Sequence, residues 1–160
     1  MLPQISELTN VIFNISPYTI RKRKEKKMTE KLELYRCNVC HNLVEVLETG
    51  TGELVCCGEK MELIKEQASE AEALNEKHIP VIEKNIDGYW VRVGAVKHPM
   101  TEEHHINFIQ VISKDKNYVK TKFLSIEDSP EMNIKCKCEK SLWSRALCNI
   151  HGLFKGEYDA

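Results

Sequence analysis

Cys37-x-x-Cys40 is followed, fifteen residues later, by the adjacent pair Cys56-Cys57. Four thiolates make a tetrahedral site for zinc or a single iron. A CxxC turn aims two sulfurs at one ion, and the intervening residues are enough for a hairpin to return the second pair. Side chains next to each other on extended backbone diverge, so Cys56 and Cys57 can share an ion only if the chain kinks between them. A structural zinc staple and a redox-active iron both fit this spacing.

A second group of possible ligands is scattered: His78, His98 in His98-Pro99-Met100, His104, and Cys148-x-x-His151. Taken singly, each histidine reads as a surface residue or a satisfied core residue. Each also falls beside a strand end or loop, where a β-sandwich can bring distant residues together, and imidazole is the commonest protein metal ligand. A neighbouring cysteine site strengthens a metal reading for the group.

Seven cysteines in a chain of 160 residues, an odd number with a CxxC spacing, suit metal ligation in a reducing compartment better than a disulfide framework. The charged fraction of 29% and mean hydropathy of -0.40 are those of a soluble globular protein, and no run approaches a membrane span. A net charge of -1 offers no basic field for nucleic acid. In residues 1–27 a short apolar stretch precedes the basic run Arg21–Lys27, the reverse of a secretory signal, so a cytoplasmic location is expected. This basic extension reads as a solvated tail.

The elements that must position the ligands read as β-strands throughout. Leu32–Tyr35, Leu43–Leu47, Glu53–Cys56 and Met61–Ile64 alternate between glycines within residues 28–65, a unit too small to hold together on apolar burial alone. Residues 66–75 read as a polar, alanine-rich connector with a helical turn. In residues 76–160 the runs Val81–Glu83, Tyr89–Val96, Ile106–Ser113, Tyr118–Phe123, Met132–Cys136 and Trp143–Leu147 recur at the spacing of an antiparallel β-sandwich. The expected fold class is all-β: a small metal-stapled domain followed by a sandwich.

The arrangement resembles the desulfoferrodoxins, the two-iron class of superoxide reductase, from about Met28 to the end. The resemblance is carried by Cys37-x-x-Cys40, Leu54-Val55-Cys56-Cys57-Gly58-Glu59, Glu76-Lys77-His78-Ile79-Pro80-Val81-Ile82-Glu83, His98-Pro99-Met100 and Cys148-Asn149-x-His151-Gly152. It implies a desulforedoxin-like domain with one iron on Cys37, Cys40, Cys56 and Cys57. It further implies an immunoglobulin-like sandwich with a second iron on the imidazoles of His78, His98, His104 and His151 and the thiolate of Cys148. Lys77 would attract superoxide, and Glu76 would fill the open position once the iron is ferric. Rubredoxin or a similar small carrier would supply electrons to a homodimer.

Residues 1–27 have no counterpart in this resemblance. His41 stands where the family commonly has glycine and His105 where it commonly has an aromatic residue, and both read as non-ligands. Cys136 and Cys138 alternate on one strand face and read as free thiols. Two other classes of function fit the residues: a zinc-stapled binding module, and an iron protein that only carries or senses electrons. Metal content, colour and consumption of superoxide separate the three.

Overall fold

The computed structural model describes residues 28–67, 76–135 and 141–158. Along β8 (Gly88–Val93), Tyr89, Val91 and Val93 are buried while Trp90 and Arg92 are half-buried, the alternation of a strand with one face on a core. β8 is the centre of a three-stranded antiparallel sheet, between β7 (Pro80–Asn85) and β11 (Glu131–Lys135). Facing it is a five-stranded sheet in the order β10 (Val119–Phe123), β9 (Ile106–Ser113), β12 (Leu142–Cys148), β13 (Gly152–Tyr158) and β6 (Glu66–Gln67). Ile82, Tyr89, Val91, Val93, Met132 and Ile134 of the first sheet pack against Ile106, Ile109, Val111, Leu142 and Ala146 of the second, which makes the sandwich core.

The small unit comprises a three-stranded sheet, β2 (Leu43–Glu45), β1 (Leu34–Arg36) and β5 (Glu62–Leu63), and a hairpin of β3 (Val55–Cys56) and β4 (Glu59–Lys60). Its strands are two or three residues long. It lies on the outer face of the five-stranded sheet, and this is why β9 and β12 are buried on both faces. Leu34 and Ile64 pack on Phe108, Leu147 and Leu153. Beside this plug, Arg145 of β12 is 3% exposed and donates to the Leu32 carbonyl at 2.8 Å, to Glu45 Oε1 at 2.7 Å and to Gln110 Oε1 at 2.6 Å. Gln110 also donates to Glu45 Oε1, at 2.9 Å.

The all-β expectation is met, with one short helical turn at residues 76–78. The expected strand Tyr89–Val96 stops at Val93 because Gly94 enters the left-handed region, at φ +79°. β13 has no counterpart among the expected strands. Its interior Gly156 weakens the strand signal, yet a β-carbon there would lie 1.8 Å from the Pro80 carbonyl oxygen, so close passage of β7 requires glycine. Residues 1–27 and 68–75, and the thiols Cys136 and Cys138, lie outside the described residues.

Candidate functional site

The two ligand groups occupy different settings. In the small unit, β1 ends at Arg36 and the chain turns through Cys37, whose carbonyl accepts the His41 amide at 3.0 Å. The Cys40 amide points at Cys37 Sγ, 3.5 Å away. The expected kink between the other two cysteines is present: Cys57 is left-handed at φ +53° and Gly58 follows at φ +81°. Both sulfurs thereby turn to one side, with Cys56 Sγ 3.6 Å from Cys40 Sγ and 3.9 Å from Cys57 Sγ. All four sulfurs lie within 4.8 Å of one another. A tetrahedron with metal–sulfur bonds of ~2.3 Å has edges of ~3.8 Å, so the set fits one ion.

The second group sits where the two sheets of the sandwich meet the loops at one end. His78 closes the helical turn at residues 76–78 and leads into β7; its ring stacks on Phe154 of β13 at 4.7 Å. His98 and His104 lie on the loop between β8 and β9, Cys148 ends β12, and His151 occupies the turn into β13. The rings form a closed cycle in the order His78, His98, His104, His151. Neighbouring centroids are 4.5 to 4.8 Å apart, with ring planes 71° to 81° to one another. His78 and His104 face each other across the cycle at 5.7 Å.

Donor atoms of His78, His98, His104 and Cys148 lie within 4.8 Å of one another. His151 falls outside that tight set, yet its Nδ1 is 3.0 Å from His78 Nε2 and 3.6 Å from Cys148 Sγ. His151 therefore offers Nδ1. His98 and His104 offer Nε2, because both Nε2 atoms are buried with no hydrogen-bond partner. His98 Nδ1 donates to the Pro99 carbonyl at 2.6 Å, which fixes the tautomer with its lone pair on Nε2. Two partnerless buried nitrogens beside a buried thiol are a donor set that fits a metal cation.

Charge agrees with this assignment. Burial, reinforced by the His78, His104 and His151 rings, pushes His98 down to about 4 against the pull of the Pro99 carbonyl. His104 is lowered by burial and then by His151, His105 and Lys77. Neutral imidazole is the form that binds metal. In the small unit, the Cys40 amide draws Cys37 down to about 7, whereas hydrogen bonding with Cys40 raises Cys56 and holds Cys57 near 12. Four crowded sulfurs cannot all lose their protons without a cation between them.

Glu76 and Lys77 are exposed in the turn that carries His78. The turn is tied to the loop after β8: the Val96 amide donates to the Glu76 carbonyl and the Gly94 amide to the Ile79 carbonyl, each at 3.0 Å. A β-carbon on Gly94 would stand 2.6 Å from the Lys77 carbonyl oxygen. The His105 ring donates from Nδ1 to the Thr101 carbonyl at 2.9 Å, outside the cycle, and His41 is exposed in left-handed backbone at φ +61°. A cavity of about 380 Å³ lined by Trp143, Lys114 and Lys155 contains no ligand residue.

The Desulfoferrodoxin family model matches residues 70–157, and the model of the desulfoferrodoxin N-terminal domain matches residues 29–64. The chain belongs to the desulfoferrodoxin family. A desulfoferrodoxin from Desulfarculus baarsii is 48% identical over 130 residues, covering 81% of this chain and 99% of that protein. A superoxide reductase from Pyrococcus furiosus is 28% identical over 120 residues, covering 59% of this chain and 97% of its own. The fold matches the crystal structure of the superoxide reductase from Treponema pallidum with a TM-score of 0.59 at 22% identity, over 82% of this chain and 98% of that one. The four-sulfur set and the histidine–cysteine set match the two iron centres of a desulfoferrodoxin. Sequence reasoning missed the groups that orient the ligands: the Pro99 carbonyl, the Phe154 ring, Gly94 and Asn149. Gly94 and Asn149 each flank a ligand-bearing segment, but only tertiary contacts reveal what they do.

Proposed function

We propose that this chain is a superoxide reductase, converting superoxide, one electron and two protons into hydrogen peroxide at the site built from His78, His98, His104, His151 and Cys148. The observation that carries this reading is the closed cycle of four imidazoles with one buried thiol against it. Ferrous iron, when bound, supplies the electron and a place for the anion. Imidazoles ligating as neutral rings would leave the cation's charge largely uncompensated, which would favour an anionic substrate. Cys148 would bring the single negative charge when it ligates, and its sulfur lies 3.5 Å from the His151 amide nitrogen, whose N–H is aimed at it.

The sulfur end of the site is buried and the turn bearing Glu76 and Lys77 is exposed. Substrate therefore enters on the side of Lys77, whose ammonium attracts superoxide and orders the water that delivers protons. Glu76, in the same turn, is the carboxylate available to cap the site between turnovers. The four-cysteine centre has no ligand in common with the reaction site. We infer that rubredoxin or a similar small carrier restores the electron, and that the cytoplasmic protein is a homodimer that covers the short strand edges of the small unit. Among the described residues no helix is long and apolar enough to cross a membrane. On this reading residues 28–65 form the iron–sulfur domain, 66–75 the connector and 76–160 the catalytic domain, with 1–27 a tail.

Pulse-generated superoxide, metal analysis and absorption spectra test the proposal together. Two irons per chain and loss of superoxide with formation of one peroxide per electron are expected. Reversible reduction of both irons without consumption of superoxide would make the protein an electron carrier. Zinc in both sites of protein produced with ample iron would make it a binding module.

A further inference from the structure

We propose that Asn149 is the positioning residue that fixes His104 against Cys148. The inference rests on the reading that these two side chains hold one ion. His104 lies in a bend at residues 101–104 that belongs to no strand. The ladder that could have held it stops short of it: β12 shifts register against β9 between Leu147 and Cys148, skipping Asn107, and the last pair is Cys148 with Ile106.

Asn149 fills the gap from the other side. Its Oδ1 accepts the His105 amide at 2.9 Å, its Nδ2 donates to the Glu103 carbonyl at 2.8 Å, and its own backbone N–H donates to the His105 carbonyl at 3.1 Å. The two partners of the side chain flank His104 directly. An amide is required, because one partner is a donor and the other an acceptor, and this also settles which end of the side chain is oxygen. Asn149 itself is covalently bonded to Cys148 and two residues from His151. One side chain thus sets the third ligand against the fourth and fifth. The other hydrogen bonds of the His104 backbone are local: its amide donates to Thr101 Oγ1 at 3.1 Å, and its carbonyl accepts from the Thr101 amide at 3.0 Å. They close the bend on itself without locating it relative to Cys148.

The test compares Asn149→Ala and Asn149→Asp with the parent, in the full chain. Hydrogen exchange is followed in the metal-free protein, and release of ferrous iron to a chelator is followed in the loaded one. Supporting partners of metal ligands are typically worth 10- to 100-fold in affinity. For Asn149→Ala, iron loss from the histidine–cysteine site should accelerate by about that factor, while the four-cysteine iron stays put. Exchange of the His105 amide should rise by at least about tenfold, with β9 and β12 core amides unchanged. Asn149→Asp keeps the acceptor for the His105 amide and loses the donor to Glu103, so it should protect His105 nearly as the parent does and release iron at an intermediate rate. Parent-like exchange at His105 and parent-like iron loss in Asn149→Ala would overturn the inference, and so would loosening spread evenly across β9 and β12. A parent that binds iron yet reduces no superoxide would sink the functional reading and leave this test intact.

Discussion

The two metal regions are built on opposite plans. Cys37, Cys40, Cys56 and Cys57 lie within one stretch of twenty-one residues, on the turns and ends of strands of two or three residues, and Cys40 and Cys57 are exposed. The second set spans residues 78 to 151, and His78, His98 and Cys148 are each only 1% exposed. A region with so little interior depends on its ion for its shape, whereas the sandwich has a core of its own that sets the rings in place before any ion arrives. In the first region the metal makes the fold, and in the second the fold makes the site.

Stripping both metals is the strongest way to break that contrast. Ions in structural sites of small domains contribute roughly 10 to 16 kcal/mol of apparent folding free energy, more than a unit of this size can replace. Chelation should therefore remove exchange protection across residues 34–63 while β8, β9 and β12 keep theirs. Hydrogen exchange with mass spectrometry reads both regions in one sample. Protection that survives in both regions, or collapses in both, would end the distinction.

The seam between the regions comes next in size. Arg145 is buried with its guanidinium on Glu45, and burial lowers its pKa against the Coulombic pull of Glu45 and Glu66. Removing one partner of a buried pair strands the other, at about 3 to 5 kcal/mol for full burial. Glu45 retains some exposure, so Glu45→Ala should cost about 2 to 4 kcal/mol in urea unfolding of the iron-loaded protein. A loss below about 0.5 kcal/mol would mean that the small unit rests on the sandwich without help from the Arg145–Glu45 pair.

Sequence reasoning reached the two plans unequally. The cysteine set was legible because its spacing is local, and the kink at Cys57 followed from two ligands being adjacent. The histidine–cysteine set was legible chiefly through its likeness to a family, since nothing in the intervals between His78, His98, His104 and Cys148 dictates convergence. Arg145 was invisible: an arginine in an alternating strand reads as solvent-facing, and only the docking of the small unit turns that face inward. β13 escaped because Gly156 is there for the backbone of β7, a contact outside its own segment. Asn149 looks like part of a loop until Glu103 and His105 are seen on either end of its amide.

Lys77 sharpens the comparison from the chemical side, since only the second region should depend on an exposed charge. At ~6 Å and an effective dielectric near ~20 a unit charge attracts superoxide by ~2.8 kcal/mol, which solvent and salt reduce to about 1 to 2 kcal/mol. Lys77→Ala should slow association with superoxide by about 5- to 30-fold and flatten its salt dependence while the iron content holds. An unchanged rate and salt slope would return Lys77 to the ordinary solvated surface.

The smallest effect is confined to the small unit. The Tyr35 hydroxyl donates to Glu33 Oε2 at 2.8 Å, and burial together with that carboxylate pushes its pKa up to about 12. The unfolded phenol titrates near 10, so between pH 10 and 12 the unfolded chain has released a proton that the folded chain still holds. The Tyr35 contribution to the stability of this unit should be constant below pH 10 and should fall as pH rises through the window. In an alkaline absorbance titration of the loaded protein, one tyrosine should ionise late, and Tyr35→Phe should remove that step at a cost of about 0.5 to 1.5 kcal/mol near neutral pH. If the late step persists in the variant, another phenol is responsible and Glu33 holds Tyr35 less tightly than the geometry indicates.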